Sequence, residues 1–345
     1  MSPPDHMPGL ELARLFYTEA VRPLLGDRPH IAARIGPGSD VLGFDTARST
    51  DHDWGPRVDL FLDDPGDLSG QLSQNLPKHF RGWSTHFEPP GARVRSMADN
   101  DGPVDHYVQI SDLPGWLHGR LGFDPAAPIE VLDWLATPWQ RFAEVTGGAV
   151  FHDPDGALEQ VRARLAWYPD DLWRYVLACQ WTRIGQEEAF VGRTAELGDD
   201  LGSRIVTARL CRDLARLLLL QQRRWPPYQK WLGTAIRTDP AAVLLTRAVR
   251  AGTPAERGAA LCAAYEEAGT RQNTLALSTP VPAERRAFFD RGYAVIGAGR
   301  FAESLHAAVT DPQLAARPLT GSIDQISDNT DVLERPVVCR ALLSD

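Results

Sequence analysis

Cysteine is scarce in this chain of 345 residues, and the four present (Cys179, Cys211, Cys262 and Cys339) form no C-x-x-C pair. That spacing excludes a zinc knuckle and suggests no disulfide framework; Cys179 and Cys211 fall in apolar helical runs and read as small buried hydrophobes. Positive charge is in deficit: 36 Lys plus Arg against 45 Asp plus Glu leave a net charge of −9. A broad nucleic-acid surface needs dense positive charge and is not expected, although a single basic cleft for one nucleotide is compatible with any net charge. Long hydrophobic runs are missing too. The longest strongly apolar run, LARLLLL from Leu214 to Leu220, is far shorter than the roughly 20 residues of a membrane span. The segment MSPPDHMPGLELARLFYTEA carries neither a basic n-region nor a long apolar stretch, so no secretory signal is expected. The default expectation is a cytoplasmic enzyme or binding protein with no membrane partner.

What is present is enough for a substantial core, since 43% of residues are apolar. The length suits roughly two domains. Apolar spacing predicts a first helix over Leu10–Leu25, then a short strand in HIAARIGPGSDVLGFD running into a glycine-rich turn, and a strand at VDLFL, Val58–Leu62. A helix behind an acidic cap follows in DPGDLSGQLSQNLPKHF, and the alternation of Tyr107-Val108-Gln109-Ile110 suits a half-buried strand. From Pro128 onward the pattern is largely helical, with long runs around residues 170–225 and shorter helices at PAAVLLTRAVRAG, PAERGAALCAAYEEAG, PAERRAFFDRGYAVI and RFAESLHAAVTDP. The expected architecture is α+β: an α/β domain over 1–125 and a helical domain over 126–345.

One constellation carries chemistry. Gly38-Ser39 is followed, eleven residues on, by Asp51-His52-Asp53. On a strand, residues i and i+2 face the same way, so Asp51 and Asp53 would present two carboxylates to one side and His52 to the other. Two converging carboxylates suit Mg²⁺ that keeps several waters and takes its other ligands from a triphosphate. Gly38 and Ser39 would offer backbone N–H groups and a hydroxyl to the phosphates, with no Cβ at Gly38 to obstruct them. The alternative is a polar turn followed by a solvated strand edge. His52 is expected to pack or cap behind the strand. Trp54, Trp167, Trp173 and Trp181 read as core.

The Gly-Ser turn and Asp-x-Asp pair resemble the signature of the nucleotidyltransferase superfamily, whose core is like that of DNA polymerase β and the kanamycin- and lincosamide-type antibiotic nucleotidyltransferases. More closely, GLELARLFYTEAVRPLL, GSDVLGFDTARSTDHDWGPRVDLF, RIGQEEAFVGR and PPYQKWLGTA resemble the DUF4037 family, assigned to that superfamily. The resemblance runs from about residue 9 to the 330s and implies a small α/β core followed by a helical domain. It implies Gly38 and Ser39 as the phosphate turn and Asp51 and Asp53 as metal ligands. A third carboxylate is expected from a later strand, here DHYVQISDL. Its counterpart position carries Gln109, and neither flanking residue, Asp105 nor Asp112, has clearly the right phase. This departure bears on catalytic competence, because a two-metal displacement needs its oxygen ligands close together.

In the helical half, Glu187 or Glu188 of RIGQEEAF could serve as general base, with the alternative that Glu187 pairs with Arg183 at i, i+4. Lys230 could reach a triphosphate and Tyr228 a base or phosphate; otherwise Lys230 is a surface lysine lying beside packed tryptophans. Arg57 orients the carboxylates, touches a phosphate or forms a structural ion pair. The expected function is a Mg²⁺-dependent transferase moving a nucleoside monophosphate from an NTP, ATP foremost, to a hydroxyl on a small-molecule acceptor. The alternative is a catalytically degenerate binder of nucleotide or other ligand on the same fold; a hydrolase or a site shared within a homodimer also stays open.

Overall fold

The computed structural model describes residues 6–88 and 94–344. The fold is mixed α+β, with a small sheet and many helices. It divides into two compact units, one made of Met1–Pro128 and Arg141–Ala166, the other of Ile129–Gln140 and Trp167–Asp345.

The first unit is built on β1 (Ile31–Arg34), β2 (Arg57–Phe61), a small hairpin of β3 (His79–Phe80) and β4 (Trp83–Ser84), then β5 (Tyr107–Ser111) and β6 (Ala149–His152). The four-stranded sheet has the order β5-β2-β1-β6. β1 runs antiparallel to β2, with Ala33 opposite Asp59, and β5 runs parallel to β2, with Arg57 opposite Tyr107. β2 is buried at all five positions. The reason is that the two faces of the sheet are covered by different apolar groups. Val58 and Leu60 join Leu12, Phe16, Leu68 and Leu72 on one face, whereas Phe61 joins Ala33, Ile35 and Leu158 on the other. Such two-sided cover leaves no room for an alternating polar face.

The helix expected over Leu10–Leu25 is one continuous helical run, Gly9–Phe16 and Arg22–Leu25 joined by a π-helical turn at Tyr17–Val21. Pro23 lacks the N–H that an α-helical turn would direct to residue 19, and the ladder widens just before it. β6 comes after the boundary expected near 124–130 and pairs with β1, so the first unit draws on residues from both sides of it.

The second unit is helical. Asp170–Glu187, Asp200–Gln221 and Pro254–Thr274 form its centre, and Gly299–Ala307 packs on the first of them. The apolar run at 214–220 lies inside this bundle: Leu214 and Leu217 to Leu220 are fully buried. Among the described residues no helix is long and apolar enough to cross a membrane. The segment PAERRAFFDRGYAVI is not helical. It forms a hairpin of β7 (Arg286–Ala287) and β8 (Ala294–Val295), because the Asp290-Arg291-Gly292 sequence favours a turn over a helix interior. The Phe288 N–H donates to the Tyr293 carbonyl across it at 3.2 Å.

Candidate functional site

The antiparallel register of β1 and β2 sets the turn after β1 beside the segment leading into β2, and β5 begins at this same end of the sheet. Arg34 closes β1 and is almost wholly buried. Its Nε and Nη2 donate to the two carboxylate oxygens of Asp40 at 2.7 and 2.8 Å, and Nη1 and Nη2 donate to the Ile35 and Pro37 carbonyls. A guanidinium fork on a carboxylate is the strongest ion-pair geometry available to side chains. Burial acts to lower the Arg34 pKa, but the Asp40 and Asp59 carboxylates outweigh it and leave the pKa raised. Gly38 lies against this pair: a Cβ there would come within 2.1 Å of Asp40 Oδ1 and 2.3 Å of Arg34 Nη2. The glycine is therefore required by the ion pair beneath the turn. Above it, the N–H groups of Gly38 and Ser39 and the Ser39 hydroxyl make no hydrogen bond among the described residues.

Asp51 and Asp53 do not share a strand, contrary to the sequence expectation. Asp51 ends a 3₁₀ helix, Ala47–Asp51, with its side chain largely exposed, and Asp53 has a positive φ of 48°. Pro56 explains the displacement, since it cannot donate to a sheet ladder and β2 starts only at Arg57. His52 does not pack behind a strand either. It is exposed, with Nδ1 3.0 Å from Asp51 Oδ1. Asp53 is held through its main chain and Oδ1. Its Oδ1 accepts from the Tyr107 hydroxyl at 2.9 Å and from the Arg95 N–H at 3.2 Å, and its own N–H donates to the Arg95 carbonyl. Arg57, buried, donates from Nη1 to the Asp53 carbonyl and lies 4.1 Å over the Tyr107 ring; Arg95 lies 4.6 Å from the same ring. Burial, and then repulsion from Arg34, lower the Arg57 pKa. Trp54 is core as expected, with Nε1 donating to Asp45.

Among the described residues no third carboxylate completes the set. Gln109 stands opposite Asp59 in the parallel pairing of β5 with β2. Asp112 caps the helix Leu113–Leu121 through Gly115 N–H at 2.6 Å, and Asp105 is exposed. Among the described residues, no group of three or more His, Cys, Asp or Glu side chains lies placed to hold a metal. Asp51 and Asp53 nevertheless each keep one carboxylate oxygen without a hydrogen bond among the described residues. Free carboxylate oxygens are donors of the type that magnesium takes together with water, and among the described residues they belong to no all-protein cage.

Sequence reasoning missed Arg34, Asp40, Asp59, Arg95 and Tyr107. Asp59 is buried in mid-strand with Oδ2 accepting from the Ile35 N–H at 3.1 Å. Burial raises its pKa against the pull of Arg34 and Arg57. A charged residue between Val58 and Leu60 on an otherwise apolar strand was the available signal.

In the second unit Glu187 pairs with Arg209, at 3.0 and 2.6 Å, and not with Arg183. Glu188 is committed elsewhere: its carboxylate accepts from the N–H groups of Ile296, Gly297 and Ala298 at 2.9 to 3.1 Å. Burial raises its pKa, opposed by those three bonds. Such a carboxylate anchors the start of Gly299–Ala307 and is poorly suited as a general base. The Lys230 ammonium lies 4.9 Å over the Trp231 ring, beside a tryptophan as the structural alternative has it, and the exposed Tyr228 occupies the N-cap position of Gln229–Ile236 with no side-chain capping bond.

A family model described as a domain of unknown function, DUF4037, matches residues 134–232. That span contains RIGQEEAFVGR and the start of PPYQKWLGTA, and leaves the Gly-Ser turn and the aspartate pair outside it. No curated protein matches the chain. Among solved structures, a nucleotidyltransferase-like protein from Exiguobacterium sibiricum 255-15 is 12% identical, with 87% of this chain and 89% of that one covered and a TM-score of 0.30. A likeness of that size decides nothing about the chemistry of this chain.

Proposed function

We propose that this chain is a nucleotidyltransferase that transfers a nucleoside monophosphate from an NTP, ATP foremost, to a hydroxyl of a small-molecule acceptor and releases pyrophosphate. The observation that supports it is the register of the sheet. The antiparallel pairing of β1 with β2 gathers the unspent donors of Gly38 and Ser39 and the aspartates before β2 at one sheet end. The Ser39 hydroxyl and the two N–H groups bind phosphate oxygens. Asp51 and Asp53 hold magnesium, which supplies charge neutralisation of the triphosphate when bound. Tyr107 and the Arg95 N–H keep Asp53 oriented, and Arg57 adds positive charge from beneath.

Gln109 favours a second reading, in which the same site binds nucleotide without transferring it. An amide contributes much less than a carboxylate to placing a metal. Calorimetric titration of ATP with and without Mg²⁺, into the wild type and an Asp51→Asn/Asp53→Asn variant, tests the shared premise. Binding that needs both Mg²⁺ and the aspartates supports it, and no binding under any condition rejects both readings. Pyrophosphate release with an alcohol acceptor then separates transferase from binder.

A further inference from the structure

An open cleft of about 560 Å³ lies in the helical unit where the helix Ala242–Arg250 gives way to Pro254–Thr274. Its wall carries Arg247 and Arg250 from the last turn of the first helix and Glu256, Ala259 and Ala260 from the first two turns of the second, with Ala251 between them. Residues three apart on a helix are surface neighbours, so the two arginines stand side by side. Both are exposed, and neither forms a hydrogen bond or an ion pair among the described residues. The apolar part of the wall is made of methyl groups, from the buried Ala251 and Ala260 and the half-buried Ala259.

The surrounding acceptors are committed to other partners. Glu256, the one carboxylate among the described residues of the wall, accepts through Oε2 from the N–H groups of Gly252 and Thr253 at 3.0 Å each. Asp200 accepts from Arg204 Nε on Oδ2 at 2.7 Å and from the buried Arg257 Nη2 on Oδ1. The carbonyls at the end of Ala242–Arg250, whose negative ends would repel an anion, are covered too. Arg257 Nη1 donates to the Ala251 carbonyl at 3.3 Å, and Arg204 Nη2 donates to the Gly252 carbonyl at 3.2 Å. The cleft thus offers two guanidinium charges against one carboxylate that is tied to the backbone.

We propose that this cleft binds a small phosphate monoester, with its phosphoryl group held by Arg247 and Arg250 and its organic part against the alanines. A guanidinium fork takes two oxygens of a phosphoryl group at once, and two forks balance its charge of about −1.5 to −2 at neutral pH. The short alanine side chains leave room for a compact apolar body, whose burial adds to the affinity. The site draws on the helical unit alone and goes beyond the nucleotide reading above.

The test is calorimetric titration of phenyl phosphate, inorganic phosphate and benzoate into the full chain, in EDTA at low ionic strength. Phenyl phosphate is expected to bind tightest, because inorganic phosphate lacks the apolar body and benzoate carries a single charge. Arg247→Gln and Arg250→Gln are each expected to weaken phenyl phosphate about tenfold or more, the cost of a charge-assisted bond. Both side chains are exposed, so the thermal midpoint is expected to stay put in these variants. Ala259→Leu, which fills the cleft and keeps both arginines, is expected to abolish binding. Asp51→Asn/Asp53→Asn is expected to bind as the wild type does, which separates this cleft from the magnesium site. Absence of phenyl phosphate binding by the folded wild type overturns the proposal. So does binding that the arginine variants or Ala259→Leu leave intact, or inorganic phosphate bound as tightly as phenyl phosphate.

Discussion

The hydroxyl of Tyr107 donates to Asp53 Oδ1 at 2.9 Å, joining the first residue of β5 to the segment before β2 across 54 positions of sequence. The bond selects which Asp53 oxygen stays free, and the phenol is itself fixed by the ring contacts of Arg57 and Arg95. Tyr107→Phe keeps the ring and removes only the hydroxyl. Its expected effect is a loss of about 1.5 kcal/mol in Mg·ATP binding, roughly tenfold in affinity. Titration calorimetry reads this directly, and an unchanged affinity would remove Tyr107 from the site.

Asp40 has a different job. Without it, Arg34 keeps as its nearest carboxylate Asp59, with Nη1 3.6 Å from Oδ2, and stays buried. Asp40→Ala is expected to cost about 3–5 kcal/mol, as removal of one partner of a buried pair does. Gly38→Ala drives a methyl into the same pair and is expected to cost about 1–3 kcal/mol through overpacking. Urea denaturation measures both. A Gly38→Ala protein as stable as wild type would show that the ion pair can move aside.

The two glutamates of RIGQEEAF separate cleanly. Glu188→Ala strands three N–H groups at the start of Gly299–Ala307 and is expected to destabilise the chain by about 2–3 kcal/mol. Glu187→Ala loses a partly exposed pair with Arg209 and is expected to cost under about 1 kcal/mol. If Glu187 is the base, turnover falls in that variant while its thermal midpoint scarcely moves. A fall in stability without a fall in turnover would reverse the assignment.

Burial pushes the Asp324 carboxyl up to about 6, with Arg216 opposing. Between the ordinary carboxylate range and that value the folded chain binds more protons at this position than the unfolded chain. Stability from this group is therefore present at acid pH and is lost as pH rises toward 6, by about 3 kcal/mol at most. Asp324→Asn keeps the carbonyl acceptor for Trp139 and removes the titration. Relative to wild type, it is expected to gain stability on going from pH 4.5 to pH 7 in urea unfolding; a constant difference between the two proteins would sink the assignment.

The sequence made the helices and the central strands legible because apolar periodicity reports burial directly. VDLFL reads as a strand, and LARLLLL as a core helix too short for a membrane, on that ground alone. The hairpin at 286–295 was hidden because Ala, Glu and Arg at its start favour helix locally, while the turn residues that reverse the chain come later. The Gly38, Ser39, Asp51 and Asp53 pattern could be seen as a spacing, but not its support. Arg34 with Asp40, and Tyr107 with Asp53, are joined by packing of the sheet, which leaves no local pattern. Glu188 shows the converse: its type fits a base, and only the three N–H groups from 108 to 110 positions away reveal an anchor.

β6 reaches β1 from far along the chain, with Ala32 opposite His152. During synthesis β1 therefore leaves the ribosome roughly ten seconds before its outer neighbour exists, at about 5–20 residues per second. Through that interval one margin of the nascent sheet is an open template for any extended peptide. Expression yield and chaperone dependence of this protein should thus be set by how that margin is shielded until residue 152 emerges, and a fragment ending at 128 would carry the exposure permanently.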